Sequence, residues 1–360
     1  MNANLKYFTG SFITTFIGLI LGFGIGYYYT GTYAGAASSA FICAVLSVLE
    51  VSLSFDNAVV NAHVLKDMTP LWRHRFLTWG MLIAVFGMRL VFPLAIVGIV
   101  AAVNPWDALV LAATNPAEYA KIMQSVHVPV AGFGGAFLLM VALKYFFDGN
   151  KDVHWIRLIE APLSKLGRLY ASELAVAMLV IYGISKGLEP ELAMTFLVSG
   201  LFGLITFICV DGISAVLEGP EHTEEKKNAS ITELHRASAG MFLYLEVLDA
   251  SFSFDGVVGA FAITNNLFII AIGLGIGAMF VRSLTILLVE KGTLTQYKYL
   301  EHGAFYAIGA LAAIMFINTF YHIPEVITGL IGAAFIGLSL WSSILYKKKC
   351  ESPGRAQAVS

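Results

Sequence analysis

Ten runs of roughly 20 apolar residues limit what this chain can fold into. They lie at about residues 8–29, 36–62, 76–103, 128–147, 171–186, 192–217, 237–263, 267–289, 303–320 and 326–346, the fifth being the shortest. Lipid cannot satisfy backbone N–H and C=O groups, so segments of this length must close their hydrogen bonds internally as helices. Composition points the same way: 58% of residues are hydrophobic and 13% charged, where soluble domains carry about 25% charged residues. The sequence therefore predicts an all-α membrane protein of about ten transmembrane helices. Lys6 ahead of the first run resembles the start of a signal peptide, but the length of that run reads as a retained span.

Charge placement orients the spans. With the N-terminus in the cytoplasm, 17 of the 22 Lys and Arg residues fall on the inner side and only Lys121 and Lys186 outside. That asymmetry is what the positive-inside rule demands, so both termini are read as cytoplasmic. The charged stretch 218–236 becomes a solvated cytoplasmic connector. No basic block with interleaved aromatics suggests nucleic acid. Cys43, Cys209 and Cys350 make neither a disulfide framework nor a metal cluster.

One polar string occurs twice within these apolar runs. The first copy is Glu50-Val-Ser-Leu-Ser-Phe-Asp56-Asn57, and the second is Glu246-Val-Leu-Asp249-Ala-Ser-Phe-Ser-Phe-Asp255-Gly256. Each has an acid six residues before the aspartate of Ser-Phe-Asp, Glu50 in one and Asp249 in the other. The copies fall on spans two and seven, so the repeat unit is five spans, an odd number, and the halves cross the membrane in opposite senses. Gly80 and Arg89 in span three are matched by Gly273 and Arg282 in span eight, nine residues apart in both cases. The reading is an inverted repeat: residues 1–186, then 187–346 containing the 218–236 connector, then a cytoplasmic tail at 347–360. Inverted repeats place transport sites near the midplane at their interface.

An ionised carboxylate in mid-membrane costs roughly 2.5–3.5 kcal/mol on insertion scales, so a duplicated set needs a reason. Glu50, Asp56, Glu246, Asp249 and Asp255, with Asn57 and serine hydroxyls beside them, form an oxygen-rich set suited to a hard divalent cation such as Mg²⁺, Ca²⁺ or Mn²⁺. Arg89 and Arg282 are counter-ions or gating partners, leaving a formal excess of three negative charges. Serines, Asp, Asn and Gly are poor helix formers, so helices two and seven are expected to be broken or loosened near Ser-Phe-Asp. Asn61 reads as a packing amide, His63 and Asp211 as boundary residues, and Lys144 as a snorkelling side chain.

The Ser-Phe-Asp56-Asn57 string preceded by Glu50, with its partner Glu246-x-x-Asp249 and Ser-Phe-Asp255, resembles the TerC family of integral membrane proteins, named for tellurium resistance. That family belongs to the LysE-like transporter superfamily, and the resemblance is to a branch catalogued as a domain of unknown function. It implies metal homeostasis, with manganese export foremost, and a cation site built from those intramembrane acids. The expectation is a divalent-cation transporter of a bacterial inner (plasma) membrane, possibly coupled to protons. The cargo, Mn²⁺ foremost, is its ligand and the bilayer its surroundings; no resident cofactor and no enzymatic activity are expected. Two alternatives compete: a metal-responsive scaffold or tellurite-resistance protein without transport, and an intramembrane aspartyl protease. The protease motifs Gly-x-Gly-Asp and Pro-Ala-Leu do not occur.

Overall fold

The computed structural model describes residues 5–80, 82–149, 151, 153–218 and 231–351. Every regular element among them is helical. Eight helices are long and apolar enough to cross a membrane, which makes this a multi-pass membrane protein.

Helix α1 (Thr9–Thr30) and helix α2 (Tyr33–Leu53) pack as a hairpin. Gly31 closes it in the left-handed conformation, and Thr32 caps α2 by accepting the Gly35 N–H at 3.1 Å. After a single non-helical residue, Ser54, the second span continues as α3 (Phe55–Leu65). Helix α4 (Pro70–Val100) widens in its middle into π-helical turns at Phe76–Gly80 and Ile83–Val91. The stretch read as an outer loop instead holds two short helices, α5 (Pro105–Thr114) and α6 (Pro116–Ser125). Both begin with Asn-Pro and an acid three residues after the Asn. The Oδ1 atoms of Asn104 and Asn115 accept the N–H groups of Asp107 and Glu118 at 2.9 and 3.3 Å.

The remaining helices are α7 (His127–Phe147), α8 (Arg157–Leu166), α9 (Ser172–Ser185), α10 (Pro190–Glu218), α11 (Ile231–Ala260), α12 (Leu267–Glu290), a short turn at Thr293–Gln296, α13 (Leu300–Ile317) and α14 (Glu325–Glu351). The α9 and α11 helices coincide with the expected fifth and seventh spans but are not among the eight: α9 is short, and α11 carries the acids of the second string.

One expectation is corrected. The seventh span is not loosened: α11 runs unbroken through the second Ser-Phe-Asp. Ser251 Oγ bonds back to the Val247 carbonyl at 3.0 Å, an arrangement that leaves the backbone ladder intact. Its counterpart Ser52 bonds back to the Val48 carbonyl in the same way, at 2.9 Å, but the next serine of the first copy, Ser54, reaches a side chain, Glu50 Oε1 at 2.8 Å, and there the helix breaks. The last helix, α14, continues to Glu351, into the stretch read as a tail at 347–360. The part of the connector at 231–236 is likewise the first turn and a half of α11. Residues 219–230 and 352–360 lie outside the described residues.

Two apolar clusters hold the bundle together. One surrounds Phe137, Leu138, Phe196, Leu245 and Met315, where α7 is packed by α10, α11 and α13. The other joins Leu46, Tyr119, Met123, Phe261 and Ile270, where α2 and α12 meet the short helices α5 and α6. Within a bilayer such clusters are held by close van der Waals packing and not by exclusion of water, and that packing holds the polar residues of α2, α3, α4, α11 and α12 where they meet.

Candidate cation site

Helix geometry selects which residues of the duplicated string can meet. On α3, Asn57 and Asn61 are at i and i+4 and share one face. Glu50 lies in the last turn of α2, just before the Ser54 break. Asp249 projects from mid-α11, Arg89 from the π-helical part of α4, and Arg282 from α12. All six line one cavity of about 20 Å³, closed off by Gly80, Ala84, Ala278 and Thr285 among others. A void of about 10–15 Å³ is enough for one water molecule, so this one holds a single small ion or water.

Small residues let the acids in. A side chain on Gly277 of α12 would strike the Cβ and Cγ of Glu50, and one on Gly80 of α4 would strike the carboxylate of Glu246. Glu50 is 2% exposed. Its Oε1 accepts from Ser54 Oγ and pairs with Arg89 Nη2, while Arg89 Nη1 donates to the Ala84 carbonyl. That carbonyl belongs to the π-helical stretch, a backbone form that recurs at functional sites. Asn57 Nδ2 donates to Asp249 Oδ1. The cavity is thus lined by two carboxylates and two guanidinium groups, formally neutral, with a third acid, Glu246, against Gly80.

Several polar atoms here are buried without a protein partner: Oδ1 of Asn57 and of Asn61, Oε1 of Glu246, and Nε of Arg89 and of Arg282. Buried polar atoms are otherwise almost always satisfied, so four orphans on residues lining one small cavity, with Glu246 Oε1 behind Gly80, point to a ligand or ordered water. The three orphan acceptors are hard oxygens. Among the described residues no group of three His, Cys, Asp or Glu side chains is placed to hold a metal by itself. A cation in this cavity would therefore draw on Glu50 and Asp249 together with the amide oxygens.

The structure brings together some of the residues singled out in the sequence and not others. Glu50, Asn57, Asp249, Arg89 and Arg282 converge, and Glu246 lies beside them. Asp56, expected at the centre, is buried but does not line this cavity; its Oδ1 accepts the Asn57 N–H at 3.0 Å. It stands 100° round α3 from Asn57, so the two residues face different ways. The side chain of Asp255 lies outside the described residues. Asn61, read as a packing amide, belongs to the site, and its i,i+4 spacing from Asn57 was the signal. Outside the cavity, His63 is 2.9 Å from Glu301, and Lys144 pairs with Asp211 across α7 and α10.

A family model described as "Protein of unknown function (DUF475)" matches residues 55–350. No curated protein and no solved structure matches the chain.

Proposed function

The chain belongs to this family of proteins of unknown function (DUF475), and from the geometry of its cavity we propose that it is a membrane transporter of divalent cations. One observation carries the reading. Glu50 and Asp249, the acids six residues ahead of the two Ser-Phe-Asp aspartates, come from opposite copies of the string and line the same ion-sized cavity, together with the matched arginines Arg89 and Arg282.

The ten helices are read as two five-helix halves of opposite orientation, residues 1–186 and 187–346, with both termini cytoplasmic. The glycine contacts support this. Spans three and eight are equivalent, as are spans two and seven. Gly80 of span three makes room for an acid of span seven, and Gly277 of span eight makes room for an acid of span two. Alternating access would then rock one half against the other around the shared cavity.

Arg89 and Arg282 act as built-in counter-ions when no cargo is bound. A divalent cation entering between Glu50 and Asp249 competes with Arg89 for Glu50 Oε1 and recruits the free Oδ1 atoms of Asn57 and Asn61. Carboxylate and amide oxygens are the ligands that Mg²⁺, Ca²⁺ and Mn²⁺ prefer. Manganese leaving the cytoplasm, in exchange for protons, is the form of the reaction in keeping with the TerC resemblance.

Proteoliposome flux across a metal panel, with and without a pH gradient, tests the proposal. Asp249→Asn reduces manganese flux to background at normal protein level, because it removes a cavity carboxylate while keeping its volume. Wild-type flux in Asp249→Asn, alongside lost flux in Asp56→Asn, would place the site elsewhere.

A further inference from the structure

Helix α8 does not belong to the bundle of spans. Its ten residues extend about 15 Å, half the thickness of a bilayer's hydrocarbon core. It lies in the segment joining α7 to α9 and folds back on the end of α7, where Gly167 packs directly on the Phe147 carbonyl.

The inner side of α8 is fixed to the protein. Glu160, 1% exposed, accepts the N–H groups of Trp155 and Ile156 at 3.2 Å each. It also lies 3.0 Å from His302 Nδ1 and 3.3 Å from Lys151 Nζ. Leu163, one turn on, packs into the larger apolar cluster. At 100° per residue this inward side fixes the outward one. Leu158, Ile159 and Leu166 fall together within an arc of about 100° and are exposed, Leu158 at 87%. Arg157 and Lys165 lie along one edge of that arc, and Arg168 follows the helix; all three are exposed. Between residues 153 and 171 the only acid is Glu160, which faces inward. The outward face is therefore apolar at its centre and purely cationic at its margin.

We propose that α8 lies in the plane of the membrane interface and binds anionic phospholipid: Leu158, Ile159 and Leu166 sit among the upper acyl chains, while Arg157, Lys165 and Arg168 hold the phosphates. A short amphipathic helix with a basic margin has the form of an interfacial anchor. A neutral aqueous surface would leave three large aliphatic side chains in water beside three cations. A zwitterionic lipid surface would leave the cations without counter-charge. Each cation near an anionic leaflet contributes about fivefold to partitioning. The Glu160 cluster holds the helix in the rotation that points its apolar arc away from the protein.

The test uses the full chain in lipid nanodiscs. A nitroxide is attached at Leu158→Cys in a Cys209→Ala/Cys350→Ala background; Cys43 is fully buried and unreactive. A second label at Asp67→Cys, in the exposed turn after α3, reports water. With phosphatidylglycerol present, the label at 158 is expected to be relaxed by oxygen and to be about fivefold or more less accessible to a nickel chelate than the label at 67. Arg157→Gln/Lys165→Gln/Arg168→Gln restores nickel access and lowers the phosphatidylglycerol retained through purification. Equal nickel access at 158 and 67 overturns the proposal. So does equal immersion in pure phosphatidylcholine, which removes the headgroup recognition, or shielding of 158 only when soluble protein is added, which makes α8 a protein-docking helix. No readout involves metal flux, so the outcome is independent of the transport proposal.

Discussion

Glu50→Gln offers the sharpest test of what the buried ion pair does. Glu50 and Arg89 are both almost fully enclosed, with side-chain exposures of 3% and 4%. Gln at position 50 keeps the volume and the Ser54 hydrogen bond but leaves the Arg89 guanidinium without a counter-charge. Its remaining partner is the Ala84 carbonyl, and its Nε is already unpartnered. Removing one member of a buried pair costs about 3–5 kcal/mol, because the other charge stays behind. At roughly 2 °C per kcal/mol for a chain of this size, the unfolding midpoint in detergent falls by about 6–10 °C. Arg89→Gln loses a similar amount for the converse reason. The double variant Glu50→Gln/Arg89→Gln replaces the pair with two neutral amides and recovers most of the stability. Flux separates structure from function: if Glu50 is a cargo ligand, the double variant is stable and still fails to move manganese in proteoliposomes. A double variant that is both stable and fully active would refute the assignment, reducing the pair to a structural strut.

Two further predictions rest on local geometry. Gly277→Ala places a methyl within 2.7 Å of the Ser47 carbonyl and into the Glu50 side chain, so it should cost about 1–3 kcal/mol and lower flux. Gly24→Ala in α1, where no atom lies within 4 Å, should be neutral or stabilising by up to about 1 kcal/mol, and equal midpoints for the two variants would contradict the close packing. Burial alone would raise the Glu160 carboxyl, but the hydrogen bond and charge of His302, the charge of Lys151 and the Ile156 N–H outweigh it and hold the group at about 2. A lowered folded-state value stabilises above the ordinary 4.5 and is lost as the pH falls toward 2. The difference amounts to about 3 kcal/mol at neutral pH. Glu160→Gln should therefore speed tryptic cleavage at Arg157 and Lys165 by about a hundredfold at pH 7, and unchanged cleavage would show that Glu160 does not hold α8.

What was legible in the sequence was the part governed by local periodicity and bilayer thickness. Apolar runs located the eight helices of membrane-spanning length, because length and hydropathy act within one segment, and two further runs fall on the shorter α9 and the acid-bearing α11. The Asn-Pro starts of α5 and α6 carried a readable capping signal that the polar character of the stretch obscured. The break at Ser54 and its absence in α11 were not separable from composition, since both copies contain Ser-Phe-Ser-Phe or Ser-Leu-Ser-Phe. Ser52 and Ser251 both bond back to the carbonyl four residues earlier, and what sets the first copy apart is the contact of the Ser54 hydroxyl with Glu50. That Asp56 does not line this cavity has a related reason. Both it and Asn57 are polar and adjacent, and only the rotation of α3 after the break decides which one reaches the cavity.

The same rotation changes the electrostatic argument. Five acids against two arginines would form a strongly negative pocket that holds a divalent cation tightly. The cavity in this structure has Glu50 and Asp249 against Arg89 and Arg282, so it carries no net charge before the cation arrives. A cavity of balanced formal charge, with Glu50 paired to Arg89, would release the proposed cargo leaving less bare charge in the membrane than five acids would. Cargo binding then becomes an exchange, cation for guanidinium, at Glu50. An exchange of that kind couples occupancy to the position of α4, whose π-helical turns carry Arg89 and whose Gly80 borders Glu246. Movement of α4 against α2 and α11 is therefore the motion through which the proposed transporter would open the cavity to one side or the other.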